Sequence, residues 1–255
     1  MCIRDSQKSN IDLLVVSCDS YSDVWDTFFS LFFRYWNDCP LDIYLLSNEK
    51  SYDQSRVNTI KVGRDISWSD NLLNGIDQLK KDYVFLLFED LLLNQKVSTT
   101  YFNRLSKWID NHNPNYLRLC ISHKPKYFDD LVGRIPNKTP YKTSTMPCIW
   151  KRSTLKIFLN KNESAWDFEI KGSKRAYEFD EFYCLYKNLI NYNNGIIKGK
   201  WRKAIYKKIE QYGLDINTIS RPVMTSFEEY LYLLRKYRSV LFNCLPNVFR
   251  RALKG

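Results

Sequence analysis

Several things are missing from this chain, and each absence excludes a class of protein. There is no Cys-x-x-Cys pair: Cys18, Cys39, Cys120, Cys148, Cys184 and Cys244 are scattered, several of them in apolar segments. That excludes a zinc site and a disulfide framework, and it fits reduced thiols in a cytoplasm. No apolar run is long enough to span a bilayer, and no signal peptide is visible. Internal repeats and low-complexity tracts are absent. So is any RNP-type, helix-turn-helix or zinc pattern, and the basic residues are not interleaved with an aromatic sheet surface. Nucleic-acid binding, which a basic aromatic chain first suggests, is therefore disfavoured.

What is present is a chain of 255 residues, 44% hydrophobic and 16% aromatic, enough for one large α/β domain or one domain with an appendage. Its net charge is +11, which suits an anionic partner such as a nucleotide diphosphate or an anionic membrane surface. Many of the bases fall in Lys198–Lys208 and Arg235–Lys254. Met1–Ser6 reads as the translation of a transposon-end sequencing adapter and is set aside, with Cys2, from fold reasoning. The natural start is then expected to be missing.

The chain is organised around Asp82–Leu93. The apolar run Tyr83–Phe88 ends in Glu89 and Asp90, and apolar residues resume at Leu91–Leu93. A continuous apolar run reads as a strand buried on both faces, at the centre of a parallel sheet. Acids are costly inside such a sheet, and the carboxyl end of a strand is where open α/β sheets bind ligands. Glu89 and Asp90 either aim at a site or begin a surface turn.

Other strands are expected at Ile11–Ser17, Leu41–Leu46, Asn58–Val62, Tyr116–Ile121 and Thr143–Trp150. Helices are expected from Ser22 to Trp36, from an N-cap at Ser69 or Asp70 to Leu79, from an N-cap at Ser98 or Thr99 through Ile109, from Arg152 to Leu159, Ser173 to Leu189 and Phe227 to Asn243. Lys124–Pro140 reads as a long loop or flap. Strands alternating with helices imply βαβ units and a mostly parallel central sheet flanked by helices.

Three blocks together resemble a GT-A type glycosyltransferase, with the nearest likeness to bacterial capsule and lipopolysaccharide enzymes. They are Val15-Val16-Ser17-Cys18-Asp19-Ser20-Tyr21, then Tyr83–Leu93 with its acidic pair, and then Trp150 followed by Trp166-Asp167-Phe168-Glu169. The resemblance implies an α/β GT-A (Rossmann-like) fold with a helical, basic C-terminal region. The catalytic domain would cover 7–200, with a donor side at about 11–121 and an acceptor side at about 122–190, and an extension would cover 201–255. It also implies transfer of a sugar from a nucleotide-sugar donor to a glycan or lipid-linked acceptor, by a cytoplasmic protein that can sit peripherally on the inner membrane face. A non-catalytic scaffold of the same fold is the alternative, because a DXD motif would need an acid where Leu91 stands.

On that resemblance Glu89 and Asp90 are the metal site, for Mn²⁺ or Mg²⁺. Ser17, Asp19, Tyr21, Trp68, Ser69 and Asp70 line the donor site. Asp19 either accepts from a ribose hydroxyl or caps the helix after it, and Asp70 is also readable as a plain N-cap. Lys200 and Arg202 either neutralise the diphosphate or form a solvated turn. Trp150 and Trp166 either offer faces to an acceptor sugar or pack in the core, which explains a lone Trp more often, so the pair counts only beside Glu169. Glu169, with Asp167 second, is the catalytic base. That assignment expects an extended or turning segment in which both acids point one way; the alternative is a helix start, whose N-terminus favours acids.

Overall fold

The structure is a computed structural model that describes residues 9–121, 125–216 and 218–244, with side chains described as far as residue 238. Met1–Ser6, His123 and the basic tail with Arg250, Arg251 and Lys254 lie outside the described residues. Two compact units divide the chain, Met1–Asn193 and Asn194–Gly255.

In the first unit a nine-stranded sheet forms the centre. Its strands are β1 (Ile11–Val16), β2 (Asp42–Ser47), β3 (Val57–Lys61), β4 (Tyr83–Phe88), β6 (Tyr116–Arg118), β7 (Lys126–Tyr127), β8 (Val132–Arg134), β9 (Cys148–Lys151) and β10 (Phe182–Leu185). The spatial order is β3-β2-β1-β4-β9-β6-β10-β8-β7. β3, β2, β1 and β4 are mutually parallel neighbours. β9 runs antiparallel between β4 and β6, and β10 is again parallel to β6. The chain builds outward from β1 to β3 on one side and then places β4 on the other. A switch point therefore lies between β1 and β4, where α/β sheets open a crevice at the carboxyl ends of their strands.

β1 is buried throughout because helices cover both faces. Alternate residues go to opposite sides. Leu14, Val16, Val84 and Leu86 pack with Leu72 and Ile76 of α2 (Trp68–Asp77) and with Leu155 and Phe158 of α4 (Arg152–Phe158). On the other face Phe85 meets Trp36, which follows α1 (Ser22–Tyr35), and Trp36 meets Phe102 of α3 (Thr99–His112). Burying each such Leu or Phe contributes about 1.5–3 kcal/mol.

The expected Asp82–Leu93 strand divides at the acidic pair. β4 stops at Phe88, Glu89 and Asp90 form a turn, and Leu91–Leu93 is a separate strand, β5, paired with β11 (Tyr192–Asn194). The expected flap at 124–140 contains β7 and β8. The expected helix from Ser173 to Leu189 is corrected. Helical backbone ends at Glu178, after α5 (Ala165–Asp167), one π turn (Phe168–Gly172), α6 (Ser173–Arg175) and a short 3-10 turn, and Phe182–Leu185 is strand β10. Its alternating bulky residues are buried between β6 and β8, and tertiary pairing overrides the helical reading.

The second unit holds a small hairpin of β12 (Ile196–Ile197) and β13 (Lys200–Trp201), with α7 (Lys203–Gln211) and α8 (Ser226–Cys244). Among the described residues no helix is long and apolar enough to cross a membrane.

Candidate active site at the carboxyl edge of the sheet

At the ends of β1 and β2 the polar side chains hold backbone. The Asp19 carboxylate accepts from the backbone N–H groups of Asn48, Glu49 and Lys50, at 3.0–3.2 Å. Asn48 Oδ1 in return accepts from the N–H of Asp19 at 3.1 Å. Asp19 thus ties the loop after β1 to the loop after β2, and its expected role toward a ribose gives way to this clamp. Ser17 Oγ accepts from Trp25 Nε1 at 2.8 Å. Tyr21 ends a short 3-10 turn and is half-buried.

The same holds at the start of α2. Ser67 is the N-cap, accepting from the Asp70 N–H, and its hydroxyl donates to Asp70 Oδ2. Asp70 also accepts from the Asn162 N–H at 2.7 Å. These hydrogen bonds, led by that from Asn162, hold the Asp70 carboxyl below the usual range. The N-cap expected at Ser69 or Asp70 falls instead on Ser67; Asp70 is the third helical residue, tied to that cap and to Asn162, and Ser69 is buried. Trp68 is half-buried, with Phe88 stacked at 6.4 Å and Phe168 tilted against it at 5.3 Å.

Glu89 and Asp90 sit at the switch point, Glu89 buried and Asp90 half-buried. Their charges reach different neighbours. Burial is the main reason the Cys18 thiol titrates above its ordinary value, and Glu89 and Asp65 push it further. Burial likewise raises the Tyr192 phenol, and Asp90 and Glu169 add to the rise. Glu89 is thus within electrostatic reach of Cys18 after β1, and Asp90 and Glu169 are both within reach of Tyr192. Among the described residues no three His, Cys, Asp or Glu side chains gather as a metal cage. Glu89 and Asp90 are oxygen donors of the kind Mg²⁺ or Mn²⁺ prefers, and such ions are commonly held by one or two carboxylates plus phosphate oxygens and water.

Glu169 lies beside this edge. β9 runs antiparallel to β4 with Cys148 opposite Leu86, so the residues just before β9 lie alongside the end of β4. Two of these residues hold Glu169. Its Oε1 accepts from the Thr145 N–H at 2.7 Å, Thr145 Oγ1 at 2.7 Å and Ser144 Oγ at 3.2 Å. All three bonds go to one oxygen, and among the described residues no donor reaches Oε2. Glu169 belongs to the π turn, a departure from α geometry that often occurs at functional sites. Thr143 Oγ1 donates to the carbonyl of Phe168 at 3.1 Å, and Ser173 Oγ donates to that of Glu169 at 2.6 Å. Gly172 lets the two segments meet, since a Cβ there would stand 3.1 Å from Thr143 Oγ1.

Of the two readings of the segment around Glu169, the helix start holds: the backbone is helical, and the two acids bond to different partners. Asp167 forms a capping box with Ser164 and an ion pair with Lys171 at 2.8 Å. The Lys171 contact and the Ser164 bonds hold its carboxyl at about 2. Asp167 starts a helix, with its carboxylate engaged by Ser164 and Lys171.

Of the two tryptophans, Trp150 is fully buried among Tyr116, Phe158, Phe168 and Phe182 and has no face for a sugar. Trp166 is exposed and lies 6.3 Å from the Tyr141 ring. In the second unit Arg202 is buried in an ion pair with Glu229, which also accepts from the Lys203 N–H at the start of α7. Lys200 pairs with Glu228. Both expected diphosphate cations are thus neutralised by α8.

Sequence reading missed Ser144, Thr145 and Tyr192, which carry no local motif. It also missed Arg118 and Lys142, both buried. Arg118 donates to the carbonyls of Tyr141 and Lys142. Lys142 Nζ donates to Asn137, Ala176 and Phe179, and burial lowers its titration to about 8. Together they fix the segment that leads into Ser144 and Thr145.

No family model and no curated protein matches the chain. Solved structures do. S. aureus TarS 1-349 aligns at 12% identity over 72% of this chain and 60% of that chain, with a TM-score of 0.51. The same TarS chain in complex with UDP gives the same values. The fold is of the GT-A type. A nucleotidyl transferase from Methanothermobacter thermautotroptrophicus aligns at 12% identity over 79% of this chain and 96% of its own, with a TM-score of 0.49. This chain spans about 60% of the TarS 1-349 length. The GT-A assignment concerns fold, and the residues at the carboxyl edge carry the chemical argument.

Proposed function

We propose that this protein transfers a sugar from a nucleotide-sugar donor to a hydroxyl of a glycan or lipid-linked surface-polysaccharide acceptor, at the cytoplasmic side of a membrane. One observation carries the reading. Glu169 is anchored through one oxygen by Thr145 and Ser144, with its other oxygen open, beside the edge where Asp90 ends the central strands. The GT-A fold supports it, as does the TarS chain of the same fold crystallised with UDP. Free thiols at Cys18, Cys39, Cys120, Cys148 and Cys184 suit a reducing compartment.

In this mechanism the acceptor hydroxyl attacks the anomeric carbon, forming the new C–O bond, and its proton passes to Glu169 Oε2. The bond from the anomeric carbon to the phosphate oxygen breaks, and its electron pair leaves with the nucleoside diphosphate. The three donors on Oε1 fix the carboxylate in direction, so that Oε2 faces the incoming hydroxyl in this mechanism. Asp90, with Glu89, would hold a divalent cation, which supplies positive charge against the leaving diphosphate. The configuration at the anomeric carbon inverts.

The test is calorimetry of nucleotide-sugars with and without Mn²⁺, on the wild type and on Asp90→Ala. Metal-dependent binding that Asp90→Ala loses supports the reading. Equal affinity in the two proteins, with Mn²⁺ present, removes the metal role of Asp90.

A further inference from the structure

The chain's charge is not spread evenly. Asn194–Gly255 holds thirteen Lys and Arg against four Asp and Glu, a net +9 of the total +11, in 62 residues. The larger unit is close to neutral. Within the small unit, α8 has two different faces. Glu228 and Glu229 turn inward to Lys200 and Arg202, and Tyr232 lies under the Arg202 guanidinium at 4.5 Å. On the opposite side Phe227, Tyr230, Leu234 and Tyr237 are 66, 56, 46 and 64% exposed. Their spacing of three, four and three residues puts them on one stripe of an α-helix. Arg235 and Arg238, both exposed, fall along one border of that stripe.

We propose that this face of α8 docks on an anionic lipid surface. Leu and Phe gain from entering the acyl boundary, tyrosines favour the headgroup level, and the flanking arginines meet lipid phosphate and carboxylate charge. Charge decides against the two competing occupants. A second copy of the helix would bring like-charged Arg235 and Arg238 rows together, and a polynucleotide gives Phe227 and Leu234 no apolar phase to enter. The +9 unit is complementary to anionic lipid, where each surface Lys or Arg strengthens attachment about fivefold. The inference rests on α8 alone and stands whether or not the carboxyl-edge site transfers sugar.

The test is flotation of the full chain with vesicles of phosphatidylcholine alone or with about one third phosphatidylglycerol, at low and high salt. Binding is expected only to the anionic vesicles, and more weakly at high salt. A Phe227→Ser, Leu234→Ser double variant should lose at least tenfold, and an Arg235→Gln, Arg238→Gln double variant about thirtyfold with a flatter salt dependence. All four side chains are exposed, so both variants should keep the wild-type melting temperature. Any of these results would overturn the proposal: no salt-sensitive flotation of the wild type, unchanged flotation of both variants, or tighter retention on a single-stranded oligonucleotide than on the vesicles. Light scattering that shows a lipid-free dimer, made monomeric by the apolar double variant, would assign the stripe to self-association instead.

Discussion

The two sides of the carboxyl edge use their polar side chains differently. Around β1, β2 and α2, Asp19, Asn48, Ser67 and Asp70 are engaged with backbone N–H groups or with one another. Around the approach to β9, Ser144 and Thr145 converge instead on a side chain, and leave one of its oxygens open. The first side is a frame and the second is a held group. A polar residue at the end of a strand is weak evidence for chemistry until its partners are known, because loops there need caps of their own. A carboxylate gripped on one side only is stronger evidence, since maintaining the frame does not require the open oxygen.

The largest expected effect of breaking this contrast is at Glu169. Glu169→Gln keeps the shape and should lower sugar transfer by about 10² or more, with donor affinity unchanged. On the frame side, Asp19→Ala should act on stability. It strips three backbone N–H groups of their acceptor and should cost about 2 kcal/mol in urea unfolding, while the protein that remains folded binds donor as the wild type does. Loss of donor affinity with unchanged stability would instead return Asp19 to the ligand.

The gap between these two acids also shows what was legible. Ile11–Val16 and Tyr83–Phe88 announce a buried parallel sheet by composition alone, and the placement of Glu89 and Asp90 follows from where such a strand must end. Glu169 was singled out in the sequence, but its surroundings were not. A π turn has no pattern signal, and the Ser144 and Thr145 contacts span about 25 residues. Phe182–Leu185 was misread because a short aromatic segment satisfies helix and strand patterns alike, and only its neighbours decide. Trp150 looked like a sugar platform because burial cannot be seen in one sequence.

Two smaller effects sharpen the comparison. Thr145→Val removes one hydroxyl donor from Glu169 Oε1 without changing shape. Losing a hydrogen bond to a charged group, about 1.5 kcal/mol, should slow transfer about tenfold and leave the melting temperature nearly unchanged. Asp167 gives the smallest effect, and it falls on stability. Its folded titration at about 2 lies below the ordinary 3.8, so the folded state binds its proton less readily than the unfolded chain. Its contribution is then fully present above about pH 4 and is lost as the pH falls toward 2. Asp167→Asn should flatten that part of the acid-stability curve and leave transfer at neutral pH unaffected.

The most direct test measures, in one preparation, nucleotide-sugar binding by calorimetry and glycosyl transfer to a glycan panel, with the anomeric configuration of the product read by NMR. The account predicts that wild type and Glu169→Gln bind the donor equally, that only the wild type transfers efficiently, and that the product is inverted. Wild-type turnover by Glu169→Gln, or a retained configuration, would contradict it.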